Sequence, residues 1–119
     1  MVSELCTWEM FEHALIQFEA KIKKEYKFTG VYGIPRGGLI LAVSLSHRLN
    51  IPLILDEDDI KKDTLIVDDI VDGGSTLARF KKKNHITLSL YVGENAQLKP
   101  DLFQYVRKAN WVEFPWEAK

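Results

Sequence analysis

The stretch Thr64-Leu65-Ile66-Val67 reads as a buried strand, and it runs without a break into Asp68-Asp69-Ile70-Val71-Asp72-Gly73-Gly74-Ser75-Thr76 and then into a helical pattern. A short apolar run of this kind, bounded by turn residues and followed by a helix, belongs to a sheet covered by helices. The polar groups then fall just beyond the carboxyl end of a strand, where open α/β sheets bind their ligands.

The rest of the chain repeats the same alternation. Gly30 to Ile34, Ile51 to Leu55, Thr64 to Val67 and Ile86 to Val92 read as strands. Gly38 to Asn50 and Ser75 to Lys83 read as helices. From Thr7 to Lys24, Trp8, Phe11, Leu15, Phe18 and Ile22 recur at spacings that line one helix face, with Thr7 as N-cap and Lys21, Lys23 and Lys24 at the negative end of the dipole. The pattern predicts an α/β fold: one parallel, Rossmann-like sheet of about five strands flanked by helices. In Ile86 to Val92 apolar and polar residues alternate cleanly, which predicts a less protected face and a place towards a sheet edge. The tail is irregular, but Trp111, Phe114 and Trp116 predict that it packs on the body.

At 119 residues, 46% of them hydrophobic, the chain supports one core and a single domain over 1–119. A formal net charge of -1 gives no field to draw it onto nucleic acid or anionic lipid, so a small, local ligand is expected. Cys6 is the only cysteine, which excludes an internal disulfide and fits a reducing compartment. His13, His47 and His85 show no metal-ligand spacing. The N-terminus alternates acidic and apolar residues and no run approaches membrane-spanning length, so a cytoplasmic protein without a membrane partner is expected.

The loop after Val67 carries the chemistry. Gly73 and Gly74 let backbone N–H groups approach an anion, and Ser75 and Thr76 add hydroxyl donors at a helix start. Asp68, Asp69 and Asp72 would repel a phosphate there unless they serve hydroxyls, a cation or a proton, and a ribose diol and Mg2+ meet that need. Asp, Gly and Ser are also ordinary turn formers, and the glycine pair alone would be read as a turn. The whole string of strand, acidic pair, spacer, glycine loop and helix favours the binding reading.

Leu65 to Leu77 resembles the phosphoribosyl pyrophosphate (PRPP) signature of type I phosphoribosyltransferases, with Gly73 where that family usually has Thr or Ser. Val31-Tyr32-Gly33-Ile34-Pro35-Arg36-Gly37-Gly38-Leu39 resembles the family's pyrophosphate loop. Thr7-Trp8-Glu9-Met10 and Trp111-Val112-Glu113-Phe114-Pro115-Trp116-Glu117 are similar to segments of bacterial xanthine-guanine phosphoribosyltransferases. The resemblance implies transfer of a phosphoribosyl group from PRPP to a nitrogenous base, with release of pyrophosphate. It assigns the ribose hydroxyls to Asp68 and Asp69, Mg2+ to Asp69, the base proton to Asp72, and the 5'-phosphate to Asp72, Gly73, Gly74, Ser75 and Thr76. It places pyrophosphate on Arg36 and Gly37, and the base on the Trp111 ring and the backbone of Val112. A homodimer or homotetramer is implied as well.

Two departures from the family stand out. Between Leu55 and the next strand only Asp56-Glu57-Asp58-Asp59-Ile60-Lys61-Lys62-Asp63 remain of a long mobile loop that closes over the reacting centre in relatives, so the flexible loop and the hood over the site are reduced. Tyr91-Val92-Gly93-Glu94-Asn95 stands where relatives carry a lysine that recognises the 6-oxo group of a purine. A catalytically weak PRPP- or nucleotide-binding regulatory module is the competing expectation.

Overall fold

The computed structural model describes residues 2–117. A short strand, β1 (Ser3–Leu5), leads to Thr7, whose hydroxyl accepts the Met10 N–H at 3.1 Å and caps α1 (Trp8–Glu25). Phe11, Ala14, Leu15, Phe18 and Ile22 form its buried face, as the spacing predicts, and Lys23 and Lys24 occupy its last turn.

Five strands build the main sheet: β2 (Gly30–Gly33), β3 (Leu53–Ile54), β4 (Thr64–Val71), β5 (Thr87–Gly93) and β6 (Leu102–Arg107). All pair in parallel, in the order β3-β2-β4-β5-β6. The crossover helices α2 (Gly37–Leu49) and α3 (Ser75–Lys81) follow β2 and β4 directly, as the alternation requires. Successive residues of β4 serve opposite layers: Leu65 and Val67 join the core that contains α1 and α2, whereas Ile66 packs with Tyr32, Ile34 and Phe80 on the α3 side. β4 is therefore the central strand, and whatever follows its carboxyl end is held from both faces.

The expectation that Ile86 to Val92 lies towards an edge is overturned. β5 is buried along its whole length and sits between β4 and β6. Its polar residues are satisfied internally: Thr87 N and Oγ1 donate to Asp101 Oδ2 at 2.8 and 3.0 Å, and Ser89 Oγ donates to the Tyr91 carbonyl at 2.6 Å. The edge on this side of the sheet is β6, with Phe103 and Val106 exposed.

The tail is likewise more regular than its sequence suggests. β7 (Trp111–Glu113) pairs in parallel with β1, bringing Ser3 opposite Trp111 and Leu5 opposite Glu113. It packs on the body as expected: Phe114 is buried and stacks on Trp116 at 4.9 Å, and Trp116 meets the edge of Phe11 at 5.3 Å.

Candidate active site

β4 continues to Val71 rather than ending at Val67, so the acidic pair lies within the end of the strand and is fixed by its pairing with β5. Asp68 Oδ1 accepts the Asp69 N–H and Asp69 Oδ1 accepts the Ile70 N–H, each at 2.8 Å. Burial, reinforced by the Asp69 carboxylate beside it, pushes Asp68 up to about 8. Such a pair calls for hydroxyl donors or a cation to stabilise its full charge.

The two aspartates face different spaces, as neighbours on a strand must. Asp68 borders a cavity of about 190 Å³ closed by Asp72, Gly73, Gly74, Ser75 and Thr76. Among the described residues, the backbone N–H groups of 73–76 donate to no other protein group. They are the unpaired donors of a helix start, gathered round a space of phosphate size. Gly74 makes the turn possible: its φ is 101°, and a Cβ there would stand 2.5 Å from Leu98 Cβ. Gly73 has open space around it.

Asp69 borders a second cavity, about 500 Å³, shared with Arg36, Gly37, Ile40 and Trp116. Arg36 is exposed, precedes α2 directly, and has no ion-pair partner among the described residues. The peptide joining it to Pro35 is cis. Gly38 lets the start of α2 lie against the β4 backbone, since a Cβ there would stand 2.5 Å from the Val67 carbonyl oxygen. The two glycine loops, distant in sequence, are thus brought to either side of one acidic pair.

Asp72 is exposed beyond the strand, with Oδ1 ion-paired to Arg107 Nη1 at 2.5 Å. Arg107 ends β6 and lies in register with Gly93 at the end of β5. The sequence carries no local sign of this residue, because only strand pairing brings it to Asp72. Trp111 is exposed on β7 and borders neither cavity, and the Val112 side chain lies in the core. Trp116 does border the second cavity while packing on Phe114.

The short connection after β3 lies away from both cavities. Asp56 caps a 3-10 turn (Glu57–Asp59), and the Glu57 carboxylate is gripped by both terminal nitrogens of Arg79 on α3. Arg79 in turn lies 4.2 Å above the Phe80 ring, and Ile60 packs into the cluster formed by Tyr32 and Phe80. A larger cavity of about 630 Å³ opens between α1 and β6, beside Lys21, Lys24 and Phe103, but it has neither the acidic pair nor a glycine loop.

No protein-family model matches the chain. It is 24% identical, over 138 aligned residues, to the xanthine-guanine phosphoribosyltransferase of Idiomarina loihiensis, covering 93% of this chain and 84% of that one. The crystal structure of a purine phosphoribosyltransferase from Pyrococcus horikoshii Ot3 matches with a TM-score of 0.84 at 28% identity, over 100% of this chain and 96% of that one. In sequence and in fold the chain is similar to type I purine phosphoribosyltransferases. The Helicobacter pylori xanthine-guanine-hypoxanthine phosphoribosyltransferase shares the fold, with a TM-score of 0.82 at 22% identity over 98% of this chain and 94% of that one. The Idiomarina alignment is longer than this chain itself, so that relative has residues within the matched span that are missing here. The brevity of the 56–63 connection accords with that difference.

Proposed function

We propose that the protein transfers the 5-phosphoribosyl group of PRPP to a purine nitrogen and releases pyrophosphate. The observation that carries this reading is the placement of Asp68 and Asp69 between two cavities, one ringed by unpaired N–H groups and one by Arg36.

In this reading the N–H groups of 73–76, with the Ser75 and Thr76 hydroxyls, hold the 5'-phosphate. Asp68 and Asp69 accept the two ribose hydroxyls, and Arg36 grips the pyrophosphate in a fork beside Gly37. Binding at both ends fixes the anomeric carbon between them. Its bond to the pyrophosphate oxygen breaks with the electron pair leaving on that oxygen, and a base nitrogen supplies the pair for the new bond. Asp72 takes the proton that the base loses and passes it to solvent. Trp111 and the Val112 backbone are the base-side contacts that the family resemblance assigns.

The donor set suits Mg2+ held largely by substrate. Among the described residues no three His, Cys, Asp or Glu side chains form a metal cluster, and Mg2+ at phosphate sites commonly takes one or two carboxylates together with substrate oxygens. Asp69, facing the Arg36 side, is the residue that would hold it. Bound there, the ion would offset the negative charge that builds on the departing pyrophosphate.

Incubating the protein with Mg2+, PRPP and each common purine and pyrimidine tests the proposal. Nucleotide and pyrophosphate formed in equal amounts with a purine is the expected result; neither product above a protein-free control would overturn it. The short connection, pinned by Glu57 and Arg79, favours one other reading: a regulatory module that binds PRPP or a nucleotide without efficient turnover. Calorimetry showing tight PRPP binding without product would select that alternative.

A further inference from the structure

We propose that Leu98 is a positioning residue for the phosphate: packed against Gly74 from behind, it holds the loop 73–76 in the shape that gathers its N–H groups round one anion. This rests on the function proposed above and adds to it a residue that touches no substrate.

The loop has little of its own to keep it in shape. Among the described residues the backbone N–H groups of 73–76 donate to no protein group, and no side chain caps the start of α3. The Gly74 carbonyl accepts the Ala78 N–H at 2.9 Å, which ties the loop to its helix but does not aim the donors. N–H dipoles that converge on one space repel each other until an anion accepts from them. The geometry therefore needs support from outside the loop.

That support comes from the connection between β5 and β6. It leaves β5 at Gly93, where a Cβ would stand 3.2 Å from the Asp72 carbonyl oxygen. It turns where the Ala96 N–H donates to the Gly93 carbonyl at 3.1 Å, and it returns to the loop at Leu98. A Cβ on Gly74 would lie 2.5 Å from Leu98 Cβ and 2.8 Å from the Leu98 carbonyl oxygen, so the glycine backbone lies flat against this residue. Leu98 is itself anchored, packing on the cluster of Val71, Leu77, Val92 and Ala96, of which Val71 and Leu77 bracket the loop in sequence. It lines neither cavity of the site, so its effect on the phosphate passes through Gly74. Truncating Leu98 opens a gap on the side away from the anion. Gly74 then relaxes into that gap, the donors lose their common aim, and part of the binding energy goes into re-forming the loop.

Calorimetric titration with PRPP, with melting curves and steady-state rates on the same preparations, tests this in the parent, Leu98→Ala, Leu98→Met and Val92→Ala proteins. Leu98→Ala is expected to weaken PRPP binding about tenfold and to raise KM for PRPP by a similar factor. Its kcat should stay within about twofold of the parent, because phosphate once bound restores the loop. Leu98→Met refills the space and should bind PRPP within about twofold of the parent. Val92→Ala thins the same cluster from the β5 side: it should lower Tm yet keep PRPP affinity within about twofold, which separates support of the loop from general packing. PRPP binding by Leu98→Ala equal to that of the parent overturns the assignment and leaves the transferase reading standing, and so does an equal loss of affinity in Val92→Ala. Should Leu98→Ala melt below the assay temperature, Leu98→Val decides by the same criterion, with binding about threefold weaker expected. Failure of the parent to bind PRPP at all overturns the phosphate site itself, and this proposal with it.

Discussion

The Asp69 carboxyl occupies the place that a side chain at residue 37 would need: a Cβ on Gly37 would lie 2.7 Å from Asp69 Oδ1 and closer still to Oδ2. The glycine loop before α2 and the acidic strand end are therefore in contact through a missing side chain. The obstructing atoms are the tip of a flexible residue, so Gly37→Ala is accommodated by swinging Asp69 aside rather than by moving backbone. The expected outcome is a stability change below about 1 kcal/mol together with a fall of about a hundredfold in kcat/KM for PRPP. A thermal melt and a steady-state assay on the same preparation check it, and full activity in the variant would show that the observed Asp69 position is not the working one.

Asp68 gives a pH dependence with a definite sign. Its carboxyl is raised from 3.8 to about 8 in the folded protein, chiefly by burial and then by Asp69. The folded state holds this proton more firmly than the unfolded chain, so the stability it contributes is complete below the unfolded value and is lost as pH rises towards 8. Asp68→Asn removes the titration while keeping the shape. Without ligands, the variant should gain on the parent by about 2 kcal/mol between pH 4 and pH 8.5, less than the full shift implies because water reaches the site. Parallel denaturant melts at the two pH values measure it; an equal difference at both would mean that Asp68 is not held protonated.

Gly73 offers a gain-of-function test. Nothing lies within 4 Å of a Cβ built there, and its φ lies outside the left-handed region that Gly74 occupies. Gly73→Thr should fold as well as the parent, through the reduced freedom of the unfolded chain, and should add a hydroxyl donor beside the phosphate cavity. PRPP affinity is expected to rise about threefold to tenfold by calorimetry. Gly74→Ala is the contrasting variant: its positive φ and the 2.5 Å approach to Leu98 Cβ predict a loss of several degrees in Tm. A Gly73→Thr protein that melts early or binds PRPP more weakly would show that the loop does not present residue 73 to the anion.

What was legible in the sequence is what depends on neighbours along the chain. Asp68 to Thr76 and Val31 to Leu39 each form one strand, turn and helix start, so spacing alone placed their groups at strand ends. The interior position of β5 was not legible, because Thr87 and Ser89 look solvated until Asp101 and the Tyr91 carbonyl are seen to satisfy them. Arg107 was invisible for a related reason. It reaches Asp72 only through the registers that join β4 to β5 and β5 to β6, and no periodicity within Leu102 to Arg107 announces that pairing. The joining of β1 to β7 spans nearly the whole chain and leaves the tail looking irregular in sequence.

The segment from Asp56 to Asp63 separates a lid from a strut. In this chain Glu57 is tied to Arg79 on α3, and Ile60 packs against the Tyr32 and Phe80 cluster, on the side of the sheet away from the Arg36 cavity. If the connection is only a strut, releasing it should loosen the loop without touching the chemistry. Arg79→Leu is then expected to speed amide exchange across residues 57–62 by about tenfold, with a stability cost below about 1 kcal/mol because both partners are exposed. The transfer rate should stay within about twofold of the parent, whereas loss of a closing element costs far more. Exchange measured by mass spectrometry alongside the steady-state rate gives both quantities from one sample. A rate that falls in step with the faster exchange would make this short connection part of the catalytic cover, and would mean that pinning by Arg79 holds it in its working position.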